Sequence, residues 1–301
     1  MKKDSHISWG IFILLCIIWG SSFKLMKDSS VGLSAVQIAA LRIFSAAFVF
    51  VPFGIMYFKK IPKDKLGVVI LSAIFGNLIP AFLFAAAMIK IDGSLGGILN
   101  SLTPISVIVV GILLFKTKVQ IEKITGVLIG FLGLLLLILL PSFTGEKDIS
   151  FENFSYSLLI LLATLLYGIN VNMVGKFLKG VHPIHAATVS LSFMIIPTAL
   201  ILWQQDFLSL NFSDSLIQKS ISYTVLLGVL GSAIATALFY MLVKRAGVLF
   251  ASLVTYGIPF IALLLGYIDG EKISAIKIGC LGIILFGVYL ANKQESKTIE
   301  Q

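Results

Sequence analysis

Ten stretches of this chain, each close to twenty residues long and predominantly apolar, constrain its fold more than any motif does. They run 8–26, 36–57, 66–89, 93–115, 121–140, 154–177, 184–203, 221–243, 247–268 and 275–292. About 20 apolar residues in a helix cross the ~30 Å hydrocarbon core of a bilayer, and backbone polar groups find no water there, so each spanning segment must be helical. Hydrophobic residues supply 58% of the 301 and charged residues 12%, too little polar surface to clothe a soluble globule of that length. The expected fold is an all-α integral membrane protein with ten transmembrane helices, surrounded by lipid bilayer.

The segments are not independent. Sliding 76–111 by 155 residues onto 231–266 places Gly76, Ile79, Leu83, Phe84, Pro104 and Gly111 on Gly231, Ile234, Leu238, Phe239, Pro259 and Gly266, with Lys90 meeting Arg245. Apolar identities recur by chance. A proline inside an apolar span costs a hydrogen bond and clashes with the preceding turn, so its return in register argues for a duplicated unit. One long polar connection, 141–153 with Glu146, Asp148 and Glu152, divides the spans five and five. An odd number per copy makes the second copy enter from the opposite face, which is an inverted repeat of the transporter kind. The expected organisation is a first five-helix repeat over 1–140, an extracytoplasmic linker over 141–153, a second repeat over 154–293 and a cytoplasmic tail over 294–301.

With both termini in the cytoplasm, fifteen Lys and Arg fall on the inner side and seven on the outer, the remaining one of the 23 being Arg42 within a span. The positive-inside rule favours that topology, and the inner (plasma) membrane is the expected location. Trp9 and Trp203, at span ends, suit interfacial anchors. Lys2 and Lys3 resemble a signal-peptide start, but Trp19 and Lys24 stand where a small-residue cleavage site belongs, so the first span is expected to be retained.

Trp19-Gly20-Ser21-Ser22-Phe23 closing the first span, Leu41-Arg42 in the second, and Gly270-Glu271 before the last span resemble the EamA branch of the drug/metabolite transporter (DMT) superfamily. The likeness covers essentially the whole chain. It implies ten helices, two EamA units and movement of small metabolites, often amino acids or related compounds, frequently outward. Two departures stand out: Lys116-Thr117 occupies the place of a Gly-Glu in the first copy, and the second copy offers Val189 to Leu191 with no counterpart of Arg42.

Arg42 is the charge set well inside a span, about six residues or ~9 Å from its outer end. Such a charge is costly unless it faces a cavity or a partner. It either anchors a substrate carboxylate or phosphate, or snorkels or clamps helix-end carbonyls as a structural group. Pro104 and Pro259 free the carbonyls of Asn100 and Thr255 and are candidate hinges, or passive bends. Gly96, Gly97 and Ser101, against Ala251, Ser252 and Tyr256, are explained by close packing. Candidate substrate contacts are Asn77, Asn100, Asn170, Ser232, Thr236 and Thr255, because buried polar groups need partners that a wet cavity supplies, with Trp19, Tyr167 and Tyr256 as aromatic walls. Asn172 and Tyr240 belong to the same classes. Hydroxyls can instead bond their own helix, and aromatics can face lipid.

His182 and His185 beside Pro183 read as solvated loop residues, and Gly126 with Gly130 as a small-residue face for helix packing or a homodimer contact. The net charge of +9 is spread over short loops and forms no basic face, so no nucleic acid partner is expected. Cys16 and Cys280 lack metal or redox spacing. No catalytic residue, metal site or cofactor is expected, and the chain is not read as an enzyme. No Asp or Glu lies well inside a span, which disfavours carboxylate-based proton coupling. The reading is a permease that moves small polar or amphipathic metabolites, exporting them by alternating access through a central cavity. The alternative is a channel-like or lipid-translocating protein.

Overall fold

Where the chain leaves the membrane it carries helix-starting chemistry. Ser34 Oγ accepts from Gln37 N at 3.2 Å while Gln37 Oε1 accepts from Ser34 N at 3.0 Å, a reciprocal cap at the head of the second helix. Asp214 caps another through Leu216 N at 2.8 Å, and Pro183 opens a third at its first turn. The computed structural model describes residues 2–117, 124–126, 128–133, 135–136, 151–252 and 254–292. The linker of residues 141–153 lies almost wholly outside them, as do residues 294–301 and much of the fifth span.

Among the described residues the regular structure is all helical, and seven helices are long and apolar enough to cross a membrane. In chain order these are α1 (His6–Ser29), α2 (Ala35–Phe58), α3 (Lys63–Met88), α4 (Gly93–Leu113), α6 (Phe154–Phe177), α7 (Pro183–Gln204) and α8 (Ser215–Ala246). Three shorter apolar helices are found among the described residues as well: α5 (Ile124–Gly133), α9 (Val254–Ile268) and α10 (Ala275–Gly287). Large apolar side chains such as Phe48, Ile55, Leu113, Ile196, Phe260 and Ile268 point outward, as a lipid-facing surface requires. Trp9 and Trp203 are exposed at helix ends.

The observed helices depart from the expected ones in places. No turn forms at Lys244 and Arg245: the helix begun in α8 continues to Ser252, since two basic residues with a lone following glycine do not stop a helix. In consequence α9 has 15 residues, or ~22 Å, against the 22 expected. Lys277, counted on the outer side at the start of the tenth span, is 2% exposed and donates to Lys272 O at 3.2 Å.

Inside α3 and α8 the α-helix widens into π-helical turns at Ile74–Leu78 and Leu227–Ile234. Shifted by 155, the first falls within the second. Helix α4 is interrupted at Ser101 and Leu102, between Gly93–Asn100 and Thr103–Leu113. The packing centres on α2 against α7 and α8, α1 against α9, and α6 against α3 and α4. Glycines set the closest approaches. A Cβ on Gly20 would lie 2.5 Å from Ile261 Cβ, and one on Gly257 would strike Cys16, so α1 and α9 touch through these positions. Gly126 and Gly130 receive Gly287 of α10 in the same way.

Candidate functional site

A cavity of about 130 Å³ opens between the helices where those packed pairs meet. From α1 come Trp19, Ser22, Phe23 and Met26, spaced i, i+3, i+4 and i+7 so that one helical face lines the wall. Helix α6 answers with Tyr167, Asn170 and Val171, the same spacing 148 residues on. Gly76, Asn77 and Phe84 come from α3, and Asn100 and Thr103 from the break in α4. Shifted by 155 these become Gly231, Ser232, Phe239, Thr255 and Ile258, and all but Ser232 line the same cavity. Arg42, Thr236 and Tyr240 complete it.

The π turns explain the backbone groups at the wall. A π turn leaves carbonyls out of the regular ladder, and Gly231 O accepts from Trp19 Nε1 at 3.0 Å. Gly76 lets Asn170 lie against the opposite π turn, where a Cβ would strike that amide. Gly228 brings α8 onto the Arg42 carbonyl, with 2.9 Å to Ser45 Cβ from a notional Cβ. At the α4 break, Pro104 cannot donate to Asn100 O, and Thr103 Oγ1 does so at 2.7 Å. Pro259 lies within a helix that runs on through it.

Arg42 is half-buried and lines the cavity. Its Nε donates to Ser232 Oγ at 2.8 Å, and Nη1 stands 4.0 Å from Met26 Sδ. Among the described residues no carboxylate pairs with it, so most of its five N–H donors are left for whatever occupies the cavity. At the cavity wall Asn170 Oδ1 and Tyr240 OH, on side chains 7% and 5% exposed, make no well-formed hydrogen bond, although Tyr240 stands within reach of Asn170 and Ser72. Thr236 Oγ1 donates to Asn77 Oδ1 at 3.2 Å, joining α8 to α3. Around them the aromatic rings pack on one another: Phe84 on Tyr167 (6.1 Å between centroids, 27°), Phe23 on Phe84 (5.9 Å, 71°) and Trp19 on Phe239 (5.4 Å, 54°).

The two ends of the cavity differ. Toward the C-terminus of α1, the carboxylate of Glu271 accepts from Gly93 N and Ser94 N at 3.0 and 3.2 Å, capping α4. Lys24 bonds Asp269 at 2.6 Å, and Asp92 takes Lys27 at 3.2 Å and Lys277 at 3.7 Å. This network ties α1, the α3–α4 corner and the α9–α10 corner together. Glu271 N donates to Gly266 O at 2.8 Å, and Thr117 N to Gly111 O at 2.9 Å in the other half. Thr117 thus stands where Glu271 does, and Lys116 takes up the left-handed backbone (φ 54°) that Gly270 adopts at φ 83°. Toward the opposite end, a second space of about 390 Å³ is lined by Lys179, His182, Lys244 and Val174. Tyr240 borders both spaces.

Of the residues expected to contact substrate, Trp19, Arg42, Asn77, Asn100, Tyr167, Asn170, Thr236 and Thr255 come together on this one cavity. Ser232 stands behind Arg42 and orients it, while Tyr256 packs against the edge of the apolar core. Asn172 donates to Val107 O and Gly168 O, away from the cavity. Ser22, Phe23, Met26, Gly76, Phe84, Thr103, Val171, Gly231, Phe239 and Ile258 also line it, and none of them is among the substrate contacts expected from the sequence. The signal was present for several: helical spacing from Trp19 leads to Ser22, Phe23 and Met26, and the repeat pairs Gly76 with Gly231 and Phe84 with Phe239.

The comparisons with known proteins agree with this geometry. The EamA-like transporter family matches residues 7–139 and again 154–293. An uncharacterized transporter of Archaeoglobus fulgidus is 24% identical over 96% of this chain and 98% of its own. A WAT1-related chloroplast protein of Arabidopsis thaliana is 23% identical over 97% of this chain and 71% of its own. An uncharacterized transporter of Synechocystis is 24% identical over 99% and 94%. One crystal structure shares the fold over 99% of both chains, at a TM-score of 0.64 and 17% identity. With both halves of the chain matched and a cavity walled by their corresponding residues, this membrane protein belongs to the EamA-like transporter family.

Proposed function

We propose that the protein is a carrier that moves a small polar or amphipathic metabolite outward across the plasma membrane, by alternating access through the central cavity. The observation that carries this reading is the 155-residue correspondence of the cavity wall: Gly76, Phe84, Asn100 and Thr103 face the same space as Gly231, Phe239, Thr255 and Ile258. A site on the axis relating two inverted halves can be offered to either side by rocking one half on the other. Ten helices in two inverted repeats, over 1–140 and 154–293, with both termini cytoplasmic, are part of this proposal. The Glu271 network is then the outer closure, and the space beyond Tyr240 the cytoplasmic vestibule. Arg42 and the amides of Asn77, Asn100 and Asn170 bind the substrate; Pro104 and Pro259 serve the hinges. The outward direction follows the family resemblance.

The test is counterflow. Proteoliposomes are loaded with a cell extract of small metabolites, and exchange with the same metabolites outside is followed by mass spectrometry against protein-free liposomes. A carrier gives saturable exchange of a restricted set. Non-saturating flux without exchange marks a channel and overturns the reading.

A further inference from the structure

We propose that the substrate is an organic monoanion, a carboxylate on a flat apolar body with no ammonium group, so that zwitterionic amino acids and amines are discriminated against. This rests on the carrier reading and deepens it.

The charge inventory of the path supports the anion. Arg42 is the cation in the cavity, held through Nε by Ser232. That bond uses the stem side of the guanidinium, and Nη1 reaches only the weak acceptor Met26 Sδ, so a carboxylate can take over the fork, whose geometry matches its two oxygens. Arg42 has no carboxylate partner among the described residues, and a charge left inside a membrane protein without a partner is costly. A substrate carboxylate supplies the partner. The vestibule across Tyr240 adds Lys179 and Lys244, so cations lead toward the cavity and draw anions to it.

The same inventory disfavours an ammonium. Among the described residues no Asp or Glu lines either space. An α-ammonium beside a carboxylate on Arg42 would sit within a few ångströms of the guanidinium, facing like charge and shedding water with no anion to replace it. The amide and hydroxyl oxygens of the wall, Asn77, Asn100 and Asn170 among them, can accept from its three donors but carry no charge to offset its own. A dianion fares poorly for the mirror reason, since one guanidinium leaves half its charge unpaired. The body of the ligand follows from the rest of the wall. Phe23, Phe84 and Tyr167 make an aromatic surface that takes a planar apolar group by stacking. Asn170 and Tyr240, within reach of each other at the wall, offer it a neutral hydrogen bond.

A matched series with one aromatic body tests this on the full-length protein in detergent, by calorimetry: 3-phenylpropionate, phenylalanine, phenethylamine and phenyl phosphate. The expected result is saturable binding of 3-phenylpropionate, at least about tenfold weaker binding of phenylalanine and phenyl phosphate, and none of phenethylamine. Arg42→Gln, checked for monodispersity and melting temperature, loses the 3-phenylpropionate signal, and Arg42→Lys retains part of it. Equal or tighter binding of phenylalanine or phenethylamine overturns the proposal. So does an absence of saturable 3-phenylpropionate binding, or its survival in Arg42→Gln. The carrier reading is judged separately. If the metabolites exchanged in counterflow partition with zwitterions on ion exchange, the carrier stands and the monoanion fails. If 3-phenylpropionate binds but is never exchanged, the monoanion site stands and the carrier fails.

Discussion

Arg42 and Ser232 act as a unit, one residue supplying charge and the other its direction. If the guanidinium holds a substrate anion through two charge-assisted bonds, Arg42→Gln removes about 3 kcal/mol, or roughly a hundredfold in apparent affinity. Arg42→Lys keeps the charge without the fork and should retain measurable transport. Ser232→Ala leaves the charge but frees its orientation, with an expected loss of about tenfold. Counterflow titrations, with membrane abundance measured in parallel, check all three; an Arg42→Gln protein of normal abundance and unchanged affinity sinks the substrate role. Arg42, Trp19 and the asparagines were legible in the sequence because they are rare types in apolar spans. Phe23, Met26 and Phe84 were not, because an apolar side chain in a span reads the same whether it faces lipid, core or cavity.

Helix irregularities carry the site, and the two matched prolines are not equivalent. Pro104 sits in the first turn after a break, where a missing N–H costs nothing and Thr103 has taken over the Asn100 carbonyl. Pro259 sits within a running helix. Pro259→Ala should therefore raise stability by about 1 to 3 kcal/mol, while Pro104→Ala changes it by less than ~0.5 kcal/mol. Thermal unfolding in detergent reads both, and equal shifts would contradict the difference in local geometry. If the α4 break is a hinge, Pro104→Ala slows turnover at unchanged stability. The sequence pointed to the proline pair but not to the π turns at Ile74–Leu78 and Leu227–Ile234. A π turn is stabilised by the tertiary groups that take up its carbonyls, as Trp19 does for Gly231, and its residues look like any other apolar helix.

At the scale of the whole molecule, the network at the Glu271 end opposes opening there. Lys24 and Asp269 are each about a third exposed (34% and 35%), so their pair is worth only about 0.2 to 1 kcal/mol. Glu271 accepts two backbone N–H groups at a helix N-terminus, and each charge-assisted bond is worth about 1.5 to 3 kcal/mol. Glu271→Gln should therefore open that end far more than Asp269→Asn. The readout is labelling of a Ser94→Cys variant by an impermeant maleimide; Ser94 is fully buried and both native cysteines are buried. The expected rise is about tenfold for Glu271→Gln and at most a few fold for Asp269→Asn. Thr117, standing in Glu271's place in the other half, brings no carboxylate to the opposite end, which fits the wider space beyond Tyr240. Topology has its own check: a reporter fused after Gln301 stays cytoplasmic, and its export would refute the proposed orientation.

What the sequence determined by itself is the class of solution: apolar segments of bilayer length can satisfy their backbone only as helices. It also named the rare polar residues that had to find partners inside the membrane. Only the tertiary structure decided which of them meet. Ser232 and Arg42 are 190 residues apart, Trp19 and Gly231 are 212 apart, and Glu271 caps a helix that begins 178 residues before it. Those pairings come from glycine-mediated approaches between helices distant in the chain, where one methyl group at Gly20, Gly228 or Gly257 would force the backbones apart. Local sequence sets the direction of each side chain around its own helix; the face turned to the cavity and the face turned to lipid are distinguished only once the neighbouring helices are in place.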